Sequence, residues 1–121
     1  MAYFSYTDYK ILLKKIYKEE YFKECFLLHS NKEFDISQLQ LILSEEFSEN
    51  LINAIDNFFQ ESEDTTFEYG EGSLYYDAFK FYTNEKFEIY WIECEGEAEI
   101  YETFKDAEKK MEEIIKNTHG E

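Results

Sequence analysis

Apolar residues at Tyr9, Leu12, Leu13, Ile16 and Tyr17 recur at helical spacing, and Lys10, Lys14, Lys15 and Lys18 occupy much of the opposite face. Just before them, Ser5-Tyr6-Thr7-Asp8 has the Ser-x-x-Asp spacing of a capping box, which predicts a helix starting there. The stripe loses phase at Glu19-Glu20, and Tyr21 to His29 fits either a further helix or a strand, with helix preferred. Asp35-Ile36-Ser37-Gln38 offers a second cap, ahead of Leu39, Leu41, Ile42 and Leu43. Ser48 offers a third, ahead of Leu51, Ile52, Ile55, Phe58 and Phe59, the cleanest amphipathic stripe in the chain. It dissolves into Glu61-Ser62-Glu63-Asp64-Thr65-Thr66, which reads as a loop.

From Phe67 the pattern becomes that of strands, rich in Tyr, Phe, Ile and Trp. Asn84-Glu85 and Glu95-Gly96 fall where two-residue hairpin loops belong. The expected strands are 74–83, 86–94 and 97–103, with 67–69 as a candidate fourth. A closing helix begins near Thr103, with Asp106 three places on and a stripe of Phe104, Ala107, Met111, Ile114 and Ile115. This order predicts an α+β domain: N-terminal helices, a three- to four-stranded antiparallel meander and a C-terminal helix, in two layers. Residues 1–121 read as a single domain, without repeat or linker.

If both loops hold two residues, Tyr82 opposes Phe87 and Cys94 opposes Glu97. Alternation then sorts the sheet into two faces. One carries Leu74, Tyr76, Ala78, Tyr82, Phe87, Ile89, Trp91, Ala98 and Ile100 and is the natural core side. The other carries Tyr75, Asp77, Phe79, Phe81, Glu88, Tyr90, Ile92, Glu97, Glu99 and Tyr101, part aromatic and part acidic.

Composition sharpens this picture. Hydrophobic residues make up 44% and aromatic residues 20% of 121, enough to fill one core and to argue against disorder. The chain has no Arg, Pro or Val, a bias suggestive of an AT-rich bacterial or phage genome. A net charge of −16 and the missing guanidinium fork argue against direct nucleic-acid binding. Cys25 and Cys94, far apart and outside any Cys-x-x-Cys pair, read as thiols in a reducing compartment. Met1 to Ser5 shows no secretory signal, and no apolar run approaches the ~20 residues that span a bilayer. The expected location is the cytoplasm, away from membranes.

Charge is unevenly spread. Residues 1–32 carry six Lys against four acids, whereas residues 33–104 carry nineteen acids against Lys80 and Lys86. Solubility alone would favour acids, yet ordinary surfaces mix signs more freely, and these acids interleave with aromatics on strands. That combination suits a protein interface, with aromatic anchors inside a field of one sign. The expected contact set for a basic partner is Tyr75, Asp77, Glu88, Tyr90, Glu97, Glu99 and Tyr101, flanked by Glu61, Glu63 and Asp64. Coverage of this face by the N-terminal segment, with its lysines pairing the acids, is the competing arrangement.

Candidate chemistry is thin. Close carboxylate pairs arise by chance among 28 acids. His29 follows Cys25 by four residues, but two ligands do not close a zinc site. No nucleophile elbow, phosphate-binding loop, dinucleotide fingerprint or EF-hand spacing occurs, so no cofactor and no catalytic residue is expected. A small enzyme would instead need a concave pocket holding a perturbed carboxylate or His29, and a housekeeping interaction protein would show itself as a homodimer.

With its size, lysine-only basic set and Tyr- and Glu-rich meander, typified by Phe87-Glu88-Ile89-Tyr90-Trp91-Ile92-Glu93, the chain resembles small acidic inhibitors of bacterial conflict systems. These include immunity proteins of polymorphic toxins and phage anti-defence proteins such as anti-CRISPRs. The resemblance implies occlusion: carboxylates take the place of phosphates and block a basic toxin, or the nucleic-acid groove of a host enzyme.

Overall fold

A computed structural model describes residues 4–44, 47–71 and 79–118, with the side chains of Gln38, Glu71 and Thr118 left aside. Helix α1 (Tyr6–Ile16) starts at the expected capping box: Ser5 Oγ accepts the Asp8 N–H at 3.2 Å, and Asp8 Oδ2 accepts the Ser5 N–H at 3.0 Å. Tyr21–His29 proves helical, within α2 (Glu20–Ser30), which ends on Asn31 in the left-handed conformation that Asn tolerates. Asp35 caps a 3₁₀ turn (Ile36–Gln38) leading into short α3 (Leu39–Ser44), and Ser48 caps α4 (Glu49–Glu61). Ser62 then caps another 3₁₀ turn, Glu63–Thr65, where a plain loop is expected from sequence.

Four strands follow, β1 (Glu68–Glu71), β2 (Lys80–Asn84), β3 (Ile89–Cys94) and β4 (Glu97–Tyr101), in the order β1-β2-β3-β4. All neighbours are antiparallel. Helix α5 (Phe104–Thr118) closes the chain, and the Thr103 hydroxyl accepts the Asp106 N–H at 3.2 Å. The mixed α+β order of helices, meander and closing helix is as the sequence predicts.

One hairpin also matches. Cys94 pairs with Glu97, and Glu95 and Gly96 both take positive φ (54° and 83°), as a tight primed turn requires. The other does not. Asn84 pairs with Ile89, so the loop is the four residues 85–88 and Tyr82 opposes Trp91, not Phe87. The cause is Asn84 itself, which is buried rather than looped out. Its Nδ2 donates to the carbonyls of Asp64 and Thr66, both at 3.1 Å, and its Oδ1 accepts the Phe87 N–H at 2.9 Å. Because the register moves by an even number of residues, the division into two faces survives.

The layering differs from expectation. Ile89, Trp91 and Ile100 on the first face join Tyr9, Leu12, Leu13 and Ile16 of α1, Phe22 of α2 and Ile55 and Phe58 of α4 in the main core. On the second face, Phe79, Phe81, Tyr90, Ile92 and Tyr101 pack against Ala107, Met111, Ile114 and Ile115 of α5. Helices therefore lie on both sides of the sheet, in three layers rather than two. The competing cover foreseen for the second face, the N-terminal segment, occupies the first face instead.

Asp8 joins α1 to the sheet. It is buried, and its Oδ1 accepts the N–H of Ile100 at 3.1 Å, on the edge of β4 that no strand pairs. The carboxylate thus satisfies a helix-end donor and a strand-edge donor together. Asp8→Ala should lower unfolding free energy by about 2–4 kcal/mol, combining a lost cap with charge-assisted hydrogen bonds. Urea unfolding measures this, and Asp8→Asn should retain part of the loss.

Candidate functional site

β4 is an edge strand. Along its unpaired side, between the N-terminal turn of α1 and the face of α5, runs a groove of about 860 Å³. Its floor includes Ala98 and Ile100, and its walls carry six carboxylates, Asp8, Glu97, Glu99, Glu102, Asp106 and Glu113, against Lys109 and Lys110. The groove follows from the layering: two helices pack on opposite faces of one sheet and gape at its margin.

Three of these carboxylates are engaged within the protein, Glu99 by the Tyr101 hydroxyl. Asp8 holds the Ile100 and Ser5 N–H groups, and Glu102 lies 3.3 Å from Lys14 Nζ. Lys15 Nζ donates to the Glu102 carbonyl at 2.8 Å, so α1 secures this end of the edge at two positions. Glu97, Glu99, Asp106 and Glu113 are exposed, and among the described residues none lies within ion-pair distance of a lysine. Tyr101 is half-buried beneath them. Burial drives its phenol well above the ordinary tyrosine pKa, and the Glu99 carboxylate acts in the same direction. It therefore stays protonated, a neutral hydroxyl hydrogen-bonded to the Glu99 carboxylate.

The expected contact residues separate. Glu97, Glu99 and Tyr101 come together in the groove. Tyr90 lies under α5, its ring edge-on to Phe104 at 5.9 Å. Glu88 sits in the 85–88 turn with a left-handed backbone (φ 53°), lining a cleft with Lys14, Lys15, Lys18 and Lys86. Asp64 pairs with Lys86, and Glu61 Oε2 accepts the Tyr21 hydroxyl at 3.3 Å. Glu63 is exposed in the 3₁₀ turn between them. These flanking acids adjoin the 85–88 turn, at the opposite end of β3 from the Glu95-Gly96 turn, about 20 Å away along six strand residues. Tyr75 and Asp77 lie outside the described residues.

Sequence reasoning overlooked the helical half of the groove. Asp106 and Glu113 stand seven apart, two turns along one face of α5, and that spacing is the signal that could have found them. As for the other candidate chemistry, His29 carries a buried Nε2 without a hydrogen-bond partner, while the Cys25 thiol accepts from Asn57 Nδ2 at 3.4 Å. No group of three or more His, Cys, Asp or Glu among the described residues could hold a metal ion. None of the described helices is long and apolar enough to cross a membrane.

No protein-family model matches the chain, and neither the curated proteins nor the solved structures compared with it contain a match.

Cys94, half-buried at the groove's end of β3, has its thiol pKa raised, first by burial and then by Glu95. With Cys25 buried, both thiols should react with a disulfide reagent at neutral pH at least about tenfold more slowly than free cysteine, because the thiolate is the nucleophile. Stopped-flow titration of native and urea-unfolded protein checks this, with fast reaction expected only after unfolding.

Proposed function

We propose that this protein is a non-catalytic acidic binder that occludes a basic protein partner, acting as an immunity protein that neutralises a bacterial toxin. The observation that carries the reading is the β4-edge groove, where Glu97, Glu99, Asp106 and Glu113 project without an ion pair to any lysine among the described residues. The sheet and the packed helix fix the backbone that carries these groups, so little backbone order has to be gained on binding. Uncompensated carboxylates of one sign accelerate encounter with a cationic surface and disfavour anionic competitors. Lysine or arginine side chains of the partner would enter between β4 and α5, and the neutral Tyr101 hydroxyl oxygen can accept from them.

Charge reversal locates the surface. Glu97→Lys with Glu99→Lys should abolish capture of a basic protein from a lysate of the native cell, while Glu108→Lys with Glu112→Lys, exposed on α5 outside the groove, should not. The association rate of the recovered partner should fall by about tenfold or more between low and physiological salt. Co-expression should restore the growth of cells making that partner. Capture indifferent to both the groove reversal and salt contradicts the proposal.

A further inference from the structure

On the opposite side of Ile100 from the acidic groove lies a smaller cavity of about 150 Å³, lined by Phe4, Leu12, Asp56, Phe59, Gln60, Thr65, Phe67, Trp91 and Ile100. Its wall is mostly apolar, and four of the nine lining residues are aromatic. Phe4 and Phe67 each meet Trp91 edge-on, at 5.2 and 5.7 Å with interplanar angles of 74° and 88°, and Phe59 lies 6.2 Å from Phe67. Perpendicular rings turn π-faces in different directions around one space. Such faces carry the negative side of the ring quadrupole.

A single carboxylate joins them. Asp56 Oδ1 accepts the Tyr9 hydroxyl at 3.0 Å, and no lysine among the described residues lies within 4.0 Å of it. Burial raises the pKa of Asp56, with the Tyr9 hydrogen bond and the positive amino terminus opposing the rise. An apolar, partly aromatic wall with one carboxylate that no described lysine pairs disfavours a purely apolar occupant, which would leave that group further desolvated. It equally disfavours an anion. The chemistry that satisfies both features is a cation with an apolar coat.

We propose that this cavity binds a quaternary ammonium group, its methyls against Phe4, Phe67 and Trp91 and its charge opposite Asp56. Cavities of about 150 Å³ accept a benzene ring, and a trimethylammonium head has fewer heavy atoms than benzene. Cation–π attraction strengthens with desolvation, which this enclosed wall provides. Gln60, exposed beside the cavity, marks the side open to solvent. The site is independent of the acidic groove and does not rest on the toxin-immunity reading.

The chain has one tryptophan, and it lines the cavity, so intrinsic fluorescence reports occupancy directly. Titration of the intact protein with choline should change Trp91 emission saturably. The uncharged isostere 3,3-dimethylbutan-1-ol should bind at least about tenfold more weakly, the loss expected when a desolvated cation–π contact and its counter-charge disappear. Asp56→Asn and, separately, Phe67→Leu should each weaken choline binding by about fivefold or more while leaving the urea-unfolding midpoint near that of the parent. A short peptide containing trimethyl-lysine distinguishes the sources: tighter binding than choline assigns the site to a modified side chain, and weaker binding to a free small molecule. No saturable change with either cation overturns the proposal, as does equal affinity for the neutral isostere.

Discussion

A four-stranded sheet that is apolar on both faces has to be covered twice, and the architecture follows from that constraint. Helices α1 and α4 bury the face carrying Ile89, Trp91 and Ile100, while α5 buries the face carrying Phe79, Phe81, Tyr90 and Ile92. Exposed polar backbone along a sheet margin invites unwanted pairing, so the remaining edge needs its own protection. At β4 that protection comes from the Asp8 carboxylate, the Lys15 ammonium and a row of glutamates. With both broad faces enclosed, the open surface of the sheet is confined to its edges and ends.

The same constraint organises the charge. Acids that alternate with apolar residues on β4 cannot enter either core, so they line its open edge, where acids of α5 join them. The lysines of α1 do not erase them: Lys14 meets the Glu102 carboxylate and Lys15 its carbonyl, whereas Lys18 turns with Lys86 towards a separate cleft. The molecule thus has an acidic groove at one margin and a lysine-lined cleft elsewhere, despite an overall charge of −16.

Much of the fold was legible because local signals agreed with tertiary demands. Ser5, Asp35 and Ser48 begin helical segments as their chemistry dictates, and Glu95-Gly96 turns as a positive-φ pair should. Asn84 misled because a polar residue beside Glu85 suggests a turn, while its amide serves three buried backbone partners that no local pattern discloses. Layer count escaped for a related reason. The stripe of α5 and the aromatic second face were both visible, but their mutual burial is a long-range pairing. Of the groove, the strand residues Glu97 and Glu99 were found; Asp106 and Glu113 were not, since they join the site only when α5 crosses behind the sheet.

Most carboxylates of the described residues have no lysine within ion-pair distance, so the folded state carries a repulsive field. Thermal unfolding at neutral pH between about 0.01 M and 0.15 M sodium chloride, over which the Debye length shortens from about 30 Å to 8 Å, tests it without any partner. The melting temperature should rise with salt as that repulsion is screened. A melting temperature that falls or stays level would mean that attractive internal ion pairs cancel the acids, contradicting the claim.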